Sequence, residues 1–303
     1  MPSSRWLLRS MFLVSGVGVL TACGVMTRAF ASGARRMIGP PPAGLGAVDV
    51  AFASGSGSQL RGWYVPGRRG VGAILLLHGV HANRLAMLPR ARFLHALGYS
   101  VLLPDLRAHG ESTGDHTTFG ALESRDARAA ACLLRTLAPN ERIAAIGVSL
   151  GGAATLLGSA PLPVDALVLE SVYPTIDRAA RNRLHTWLGP VGSLIAPVLV
   201  RGLEPAVGVR RDELRPIDRI AEVRVPVLML AGSADRYTPM DESKALFARV
   251  AAPKEFWAVD GADHVDLYGF APAEYERRVS TFLERSLGTA SSRAMVQPSV
   301  GCS

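Results

Sequence analysis

The sequence predicts an α/β fold: one domain built on an open, mostly parallel sheet of eight strands flanked by helices. Three observations carry this expectation. Strand-like apolar runs alternate with stretches of helical length over most of the chain, the pattern of repeated strand–helix units. Two of the runs, AILLLHG from residue 73 and IAAIGVS from residue 143, are apolar throughout, as strands covered by helices on both faces are. The 303 residues are 49% apolar and 19% charged, enough apolar material for a sizeable core, which rules out wholesale disorder.

The elements follow in order. Strands are expected at 47–53, 59–65, 73–77, 99–104, 143–148, 165–170, 226–231 and 254–259, and helices near 84–97, 120–137, 150–159, 241–251 and 272–287. The first two strands follow one another directly; strand–helix units come after. Residues 173–222 break the rhythm, separating the sixth and seventh strands by far more than the usual connection of about 2–6 residues. They are expected to form a helical lid insertion, containing WLGPVGSLIAPVLV at 187–200, an apolar stretch punctuated by Pro190 and Pro197. The tail 288–303 is rich in Ser, Gly and Ala and is expected to be disordered.

Composition excludes several classes of function. Net charge is +8, from 33 basic against 25 acidic residues, but the arginines are scattered, and no basic stripe interleaved with aromatics supports nucleic-acid binding. Three cysteines make neither a disulfide scaffold nor a multi-cysteine zinc protein. Cys132 falls in an Ala/Leu-rich helical stretch and is expected in the core, unpaired with Cys302 of the tail.

The amino terminus reads as an address. Arg5 and Arg9 precede the apolar run MFLVSGVGVL at 11–20, the charged and hydrophobic regions of an export signal. The run is shorter than the roughly 20 residues that span a bilayer. It ends in Leu20-Thr21-Ala22-Cys23, which resembles a bacterial lipobox. That resemblance implies cleavage after Ala22, lipidation of the Cys23 thiol and retention at a membrane on the exported side, since more than one acyl chain anchors stably. Residues 23–46, with Pro40-Pro41-Pro42, are then the tether between lipid and domain.

The chemistry-bearing residues begin with Gly147-Val148-Ser149-Leu150-Gly151-Gly152, directly after a buried strand and directly before a helix. Gly-x-Ser-x-Gly in that context is a nucleophile elbow, whose glycines permit a turn too sharp for a Cβ and whose helix points its amino terminus at the serine. A serine needs a base. His264, in the loop after the last strand, is the last histidine of the chain and sits where the chain returns to the carboxyl edge of the sheet. Asp235, in the loop after the seventh strand, is the candidate for orienting that imidazole; Asp260, Asp263 and Asp266 are rivals too near His264 in sequence for a relaxed bridge. The order Ser149, Asp235, His264 is the chain order of this arrangement on α/β sheets. An oxyanion would need two amides, for which Leu150 and, in the turn Leu77-His78-Gly79-Val80-His81, Val80 are the candidates. His78 and His81 are expected to fasten that turn by side-chain hydrogen bonds, and no residues have metal-ligand spacing.

With these pieces in register, residues 47–287 resemble the α/β-hydrolase superfamily, nearest to its serine-aminopeptidase-like and monoglyceride-lipase-like branch. The resemblance rests on LLLHG (75–79), LPDLRAHGESTG (103–114), GVSLGG (147–152), AGSADRYTP (231–239) and DGADH (260–264). The second block differs from the family's turn in having Ala108 for a glycine; Asp105, Arg107 and His109 there are expected to fix loops. The resemblance implies a serine hydrolase acting on a carboxylic ester or thioester, small or lipid-like, through an acyl-enzyme, with no cofactor and no metal. A peptidase of the same mechanism and a non-catalytic lipoprotein of the same fold are the alternatives.

Overall fold

The computed structural model describes residues 24–264 and 266–288. Residues 1–23, Val265 and residues 289–303 lie outside them, and with them the expected export signal, the lipidation site Cys23 and most of the expected disordered tail.

Eight strands form one sheet: β1 (Val48–Ala53), β2 (Gln59–Val65), β3 (Ala73–Leu77), β4 (Ser100–Pro104), β5 (Ile143–Val148), β6 (Ala166–Glu170), β7 (Val227–Gly232) and β8 (Lys254–Val259). Their spatial order is β1-β2-β4-β3-β5-β6-β7-β8, and only the pairings of β2 with β1 and β4 are antiparallel. The helices are α1 (Leu88–Ala96, entered through a 3₁₀ turn at Arg84–Met87), α2 (Glu123–Leu137), α3 (Leu150–Leu156), α4 (Ile176–Leu188), α5 (Pro190–Arg201), α6 (Leu203–Val207), α7 (Pro216–Arg219), α8 (Met240–Ala248), α9 (Leu267–Phe270) and α10 (Pro272–Leu287).

The period of two along the central strands divides the core. Leu75, Leu77, Ile143 and Ala145 face the layer of α2, α3 and α8, while Ile74, Leu76, Ala144 and Ile146 face α1 and α10. Both faces being covered, every residue of β3 is buried, which is why its sequence does not alternate with polar residues. Helix α2 buries Ala127, Ala130, Ala131 and Leu134, a stripe at helical spacing whose small side chains let the helix lie close to the sheet.

The insertion between β6 and β7 is helical, as expected, and α4 to α6 pack a small core of their own from Ile176, Ala180, Leu184, Ala196, Leu199 and Leu203. Pro190 starts α5 at its first turn, whereas Pro197 lies inside the helix without ending it.

Residues 24–46 depart from the expected free tether. A helix over 24–30 packs on α5, where the buried Thr27 hydroxyl donates to the Leu199 carbonyl at 3.3 Å. Ala31 enters the lid core, and Ala34–Arg35 pair in parallel with His109–Gly110. Gly33 permits that approach, since a Cβ there would lie 2.4 Å from the Ala108 carbonyl oxygen. Backbone pairing carries no side-chain signature, so a Pro- and Gly-containing stretch reads as linker although the chain is laid onto the domain. Cys132, expected as an unpaired core residue, is half-buried on α2 and disulfide-bonded.

Candidate active site

Strand β5 lies near the middle of the sheet, between β3 and β6, and runs directly into Ser149. Ser149 has φ +48° and ψ −106°, a conformation that costs a non-glycine residue about 1–3 kcal/mol and persists only where its surroundings enforce it. The surroundings here are tight. A Cβ on Gly147 would lie 2.6 Å from Gly152 Cα, and one on Gly151 would lie 2.3 Å from the Leu77 carbonyl oxygen. The Ser149 amide donates to the Glu170 carbonyl at 2.8 Å, fixing the turn to the end of β6. Helix α3 starts at the next residue, so the hydroxyl stands at its amino terminus.

The loop after β7 carries Asp235. One carboxylate oxygen accepts the amides of Tyr237 and Thr238, both at 2.8 Å, and the other accepts Nδ1–H of His264 at 2.8 Å. The Asp235 side chain is fully buried. With the carboxylate as acceptor, Nδ1 carries the imidazole proton and Nε2 keeps its lone pair. The two loops cross closely because β7 ends in Gly232, where a Cβ would lie 2.2 Å from the Ala262 carbonyl oxygen. None of the rival carboxylates touches the ring. Asp260 accepts the Ser233 hydroxyl, Asp263 accepts the amides of Arg236 and His264, and Asp266 pairs with Arg90.

The turn after β3 is held from beneath. Nδ1–H of the buried His78 donates to the Gly79 carbonyl at 2.8 Å, and Nε2 accepts the Leu106 amide at 3.0 Å. Burial, with nearby His109 acting in the same direction, lowers the His78 pKa to about 3, so the ring is neutral and keeps an acceptor for Leu106. His81 fastens the turn through its backbone amide, which donates to His109 Nε2 at 3.1 Å, rather than through its ring as expected. Asp105 accepts the Arg84 amide and guanidinium and the Glu111 amide, and Arg107 gives its amide to Asp126. These residues fix loops, as expected. Neither the Val80 nor the Leu150 amide donates to a carbonyl among the described residues, and both residues border Ser149.

Ser149, His264, Val80 and Leu150 share the wall of one narrow cavity, with Phe30, Phe119, Tyr173, Ile176 and Arg183 opposite. Among the described residues there is no hydrogen bond between Ser149 and His264. A wider groove beside α2, lined by Arg125, Arg128 and Glu213, contains none of these groups.

Residues 74–278 match the alpha/beta hydrolase family. The chain belongs to that family. An uncharacterized protein of Mycobacterium tuberculosis is 34% identical to it over 266 residues, covering 84% of this chain and 88% of that protein. The alpha/beta hydrolase domain-containing protein WAV2 of Arabidopsis thaliana is 30% identical over 252 residues, 78% of each chain. Among solved structures, the esterase Pf2001 of Pyrococcus furiosus superimposes with a TM-score of 0.71 at 25% identity, covering 85% of this chain and 99% of that one.

Three groups around the site escape a reading of the sequence. Phe30, which stacks on Phe119 at 5.0 Å between centroids, comes from the segment expected as a tether. Glu170 does have a signal, an acid closing the apolar strand ALVLE; it is buried, paired with Arg90 and hydrogen-bonded by Tyr275 at 2.6 Å. Arg183 has none, being one of three arginines in α4.

Proposed function

We propose that this alpha/beta hydrolase is a serine esterase, in which Ser149 is the nucleophile, His264 the general base and Asp235 the group that orients the imidazole and stabilises its charged form. The observation that carries the reading is the 2.8 Å bond from His264 Nδ1 to a buried Asp235 carboxylate, on the wall of a cavity that also holds Ser149 on its strained turn. His264 Nε2 takes the Ser149 proton as Oγ attacks the acyl carbonyl, and the tetrahedral oxyanion accepts the Val80 and Leu150 amides. The imidazolium then protonates the leaving alkoxide or thiolate. Water, deprotonated by the same nitrogen, releases the acid and restores Ser149. The Ser149–His264 hydrogen bond that this step needs forms in the substrate complex, as catalytic hydrogen bonds often do. The likeness to a Pyrococcus furiosus esterase and the apolar cavity wall favour an ester over a peptide.

Membrane anchoring through Cys23 belongs to the same proposal. The 24–30 helix, which follows Cys23 in sequence, exposes Val25 and Met26. It packs on α5, whose outer stripe Val191, Leu194 and Val198 is exposed together with Trp187 and Leu188 at the α4–α5 corner. Arg28 on the 24–30 helix and Arg201 at the end of α5 are exposed, positive charges suited to anionic lipid. No helix among the described residues is long and apolar enough to cross a membrane.

The test is hydrolysis of p-nitrophenyl butyrate by the full chain and by Ser149→Ala. The reading predicts turnover in the first and none above background in the second; equal turnover in both refutes the nucleophile. Fractionation of cells expressing Cys23→Ser addresses the anchor: release from membranes is expected, and unchanged retention contradicts lipidation.

A further inference from the structure

Arg183 stands on the inner side of α4 and lines the cavity that holds Ser149 and His264. Its guanidinium carbon lies 4.8 Å from the centroid of the Tyr237 ring and 5.7 Å from that of Trp187. The two rings are tied to each other, Trp187 Nε1–H donating to the Tyr237 hydroxyl at 3.1 Å. Tyr237 in turn meets the His264 ring edge-on at 5.3 Å. The guanidinium therefore sits over the Tyr237 ring, beside His264. A cation–π contact occupies none of its N–H donors in a hydrogen bond.

Those donors have no protein partner: Arg183 makes no hydrogen bond and no ion pair among the described residues. Neither nearby acid bonds to Arg183. Glu242 accepts Asn182 at 3.0 Å and Arg178 at 3.4 Å, and Asp235 accepts His264 and two amides. The remaining cavity wall, including Phe30, Phe119 and Ile176, carries no counter-charge. Burial lowers the Arg183 pKa, opposed by Tyr237 and Asp235, yet a guanidinium remains charged throughout the physiological range. A half-buried cation whose donors have no protein partner, in an otherwise apolar cavity, is placed to receive an anion.

We propose that Arg183 is a substrate-recognition residue that binds an anionic oxygen group, carboxylate or phosphate, carried by the ester itself. The substrate is thus an acidic ester, with its apolar part against Phe30, Phe119 and Ile176 and its anion on Arg183. This rests on the esterase reading for the bond that is cleaved, but the anion site itself does not depend on turnover.

The test uses the full chain and matched pairs. Mono-p-nitrophenyl glutarate against p-nitrophenyl valerate puts the charge on the acyl side, and butyryl glycerol phosphate against monobutyrin puts it on the alcohol side as phosphate. In at least one pair the anionic member is expected to have the higher kcat/KM by about 10- to 100-fold, the worth of a charge-assisted hydrogen-bonded pair. That ratio is expected to fall to about one in Arg183→Gln and to an intermediate value in Arg183→Lys, which keeps the charge and loses the planar fork. Calorimetric titration of Ser149→Ala with monomethyl glutarate, butyryl glycerol phosphate and their neutral counterparts reads the same preference without turnover. A wild-type ratio near one in both pairs, by turnover and by binding, overturns the proposal. So does a preference that survives intact in Arg183→Gln. Absent turnover with the binding preference intact removes the esterase reading and keeps the anion site; the reverse removes only the anion site.

Discussion

Replacing His78 with glutamine tests how the turn after β3 is supported. The buried ring holds its pKa at about 3, against an ordinary 6.5, mainly because burial disfavours the cation. The folded-state value is depressed, so the unfolded chain takes up the proton first as pH falls. The contribution to stability is therefore whole above pH of about 6.5 and is lost progressively toward about 3. At about 1.4 kcal/mol per pH unit the full gap amounts to about 5 kcal/mol, of which about 2 kcal/mol has gone by about pH 5. A glutamine in its place does not titrate, and its side-chain oxygen can still accept the Leu106 amide that His78 Nε2 accepts at 3.0 Å. Urea denaturation of both proteins at about pH 7.5 and about pH 5 isolates the ring, because the other titrations are shared. Wild type is expected to be the more stable at the higher pH, and its advantage should shrink by about 2 kcal/mol at the lower. A difference that stays constant within about 0.5 kcal/mol would mean that His78 does not titrate with folding, and the account of the turn as resting on a neutral, buried imidazole would be wrong.

Other perturbations have equally definite outcomes. Asp235→Asn keeps the shape of the carboxyl group but favours the wrong imidazole tautomer, so kcat on p-nitrophenyl butyrate should fall by about 10⁴-fold, the loss seen for this substitution in serine-protease triads, with KM little changed. Arg90→Leu leaves the buried Glu170 carboxylate with the Tyr275 hydroxyl as its remaining side-chain donor and should cost about 3–5 kcal/mol in urea denaturation. Adding Glu170→Gln should recover part of that loss, and strictly additive costs would contradict a coupled pair.

The central strands of the sheet are legible in the sequence because they are buried on both faces. Uninterrupted apolar runs such as AILLL are too short for a helix and end at turn residues, which marks them as strands, and the expected bounds of β2, β3, β5 and β8 coincide with those observed. The residues brought together at the cavity are legible for a similar reason. Gly147, Gly151 and Gly232 are places where a Cβ would collide with backbone, so glycine marks the turns that aim Ser149 and bring the Asp235 and His264 loops together. What the sequence hides rests on contacts without a local pattern. The laying of residues 24–46 onto the domain depends on backbone pairing with His109–Gly110 and on one buried threonine. Arg183 is indistinguishable in sequence from Arg178, which binds Glu242, and from Arg181; only the positions of Tyr237 and Trp187 set it apart. His81 departs from expectation because its amide, not its ring, does the fastening.

The central claim, that the Ser149 hydroxyl is made nucleophilic by His264 and Asp235, is met most directly by reaction of the full chain with a fluorophosphonate, followed by intact mass and peptide mapping. One phosphonyl adduct per chain is predicted, on the peptide containing Ser149, with labelling strongly slowed in His264→Ala. No adduct, an adduct on another residue, or undiminished labelling of the histidine variant would contradict it.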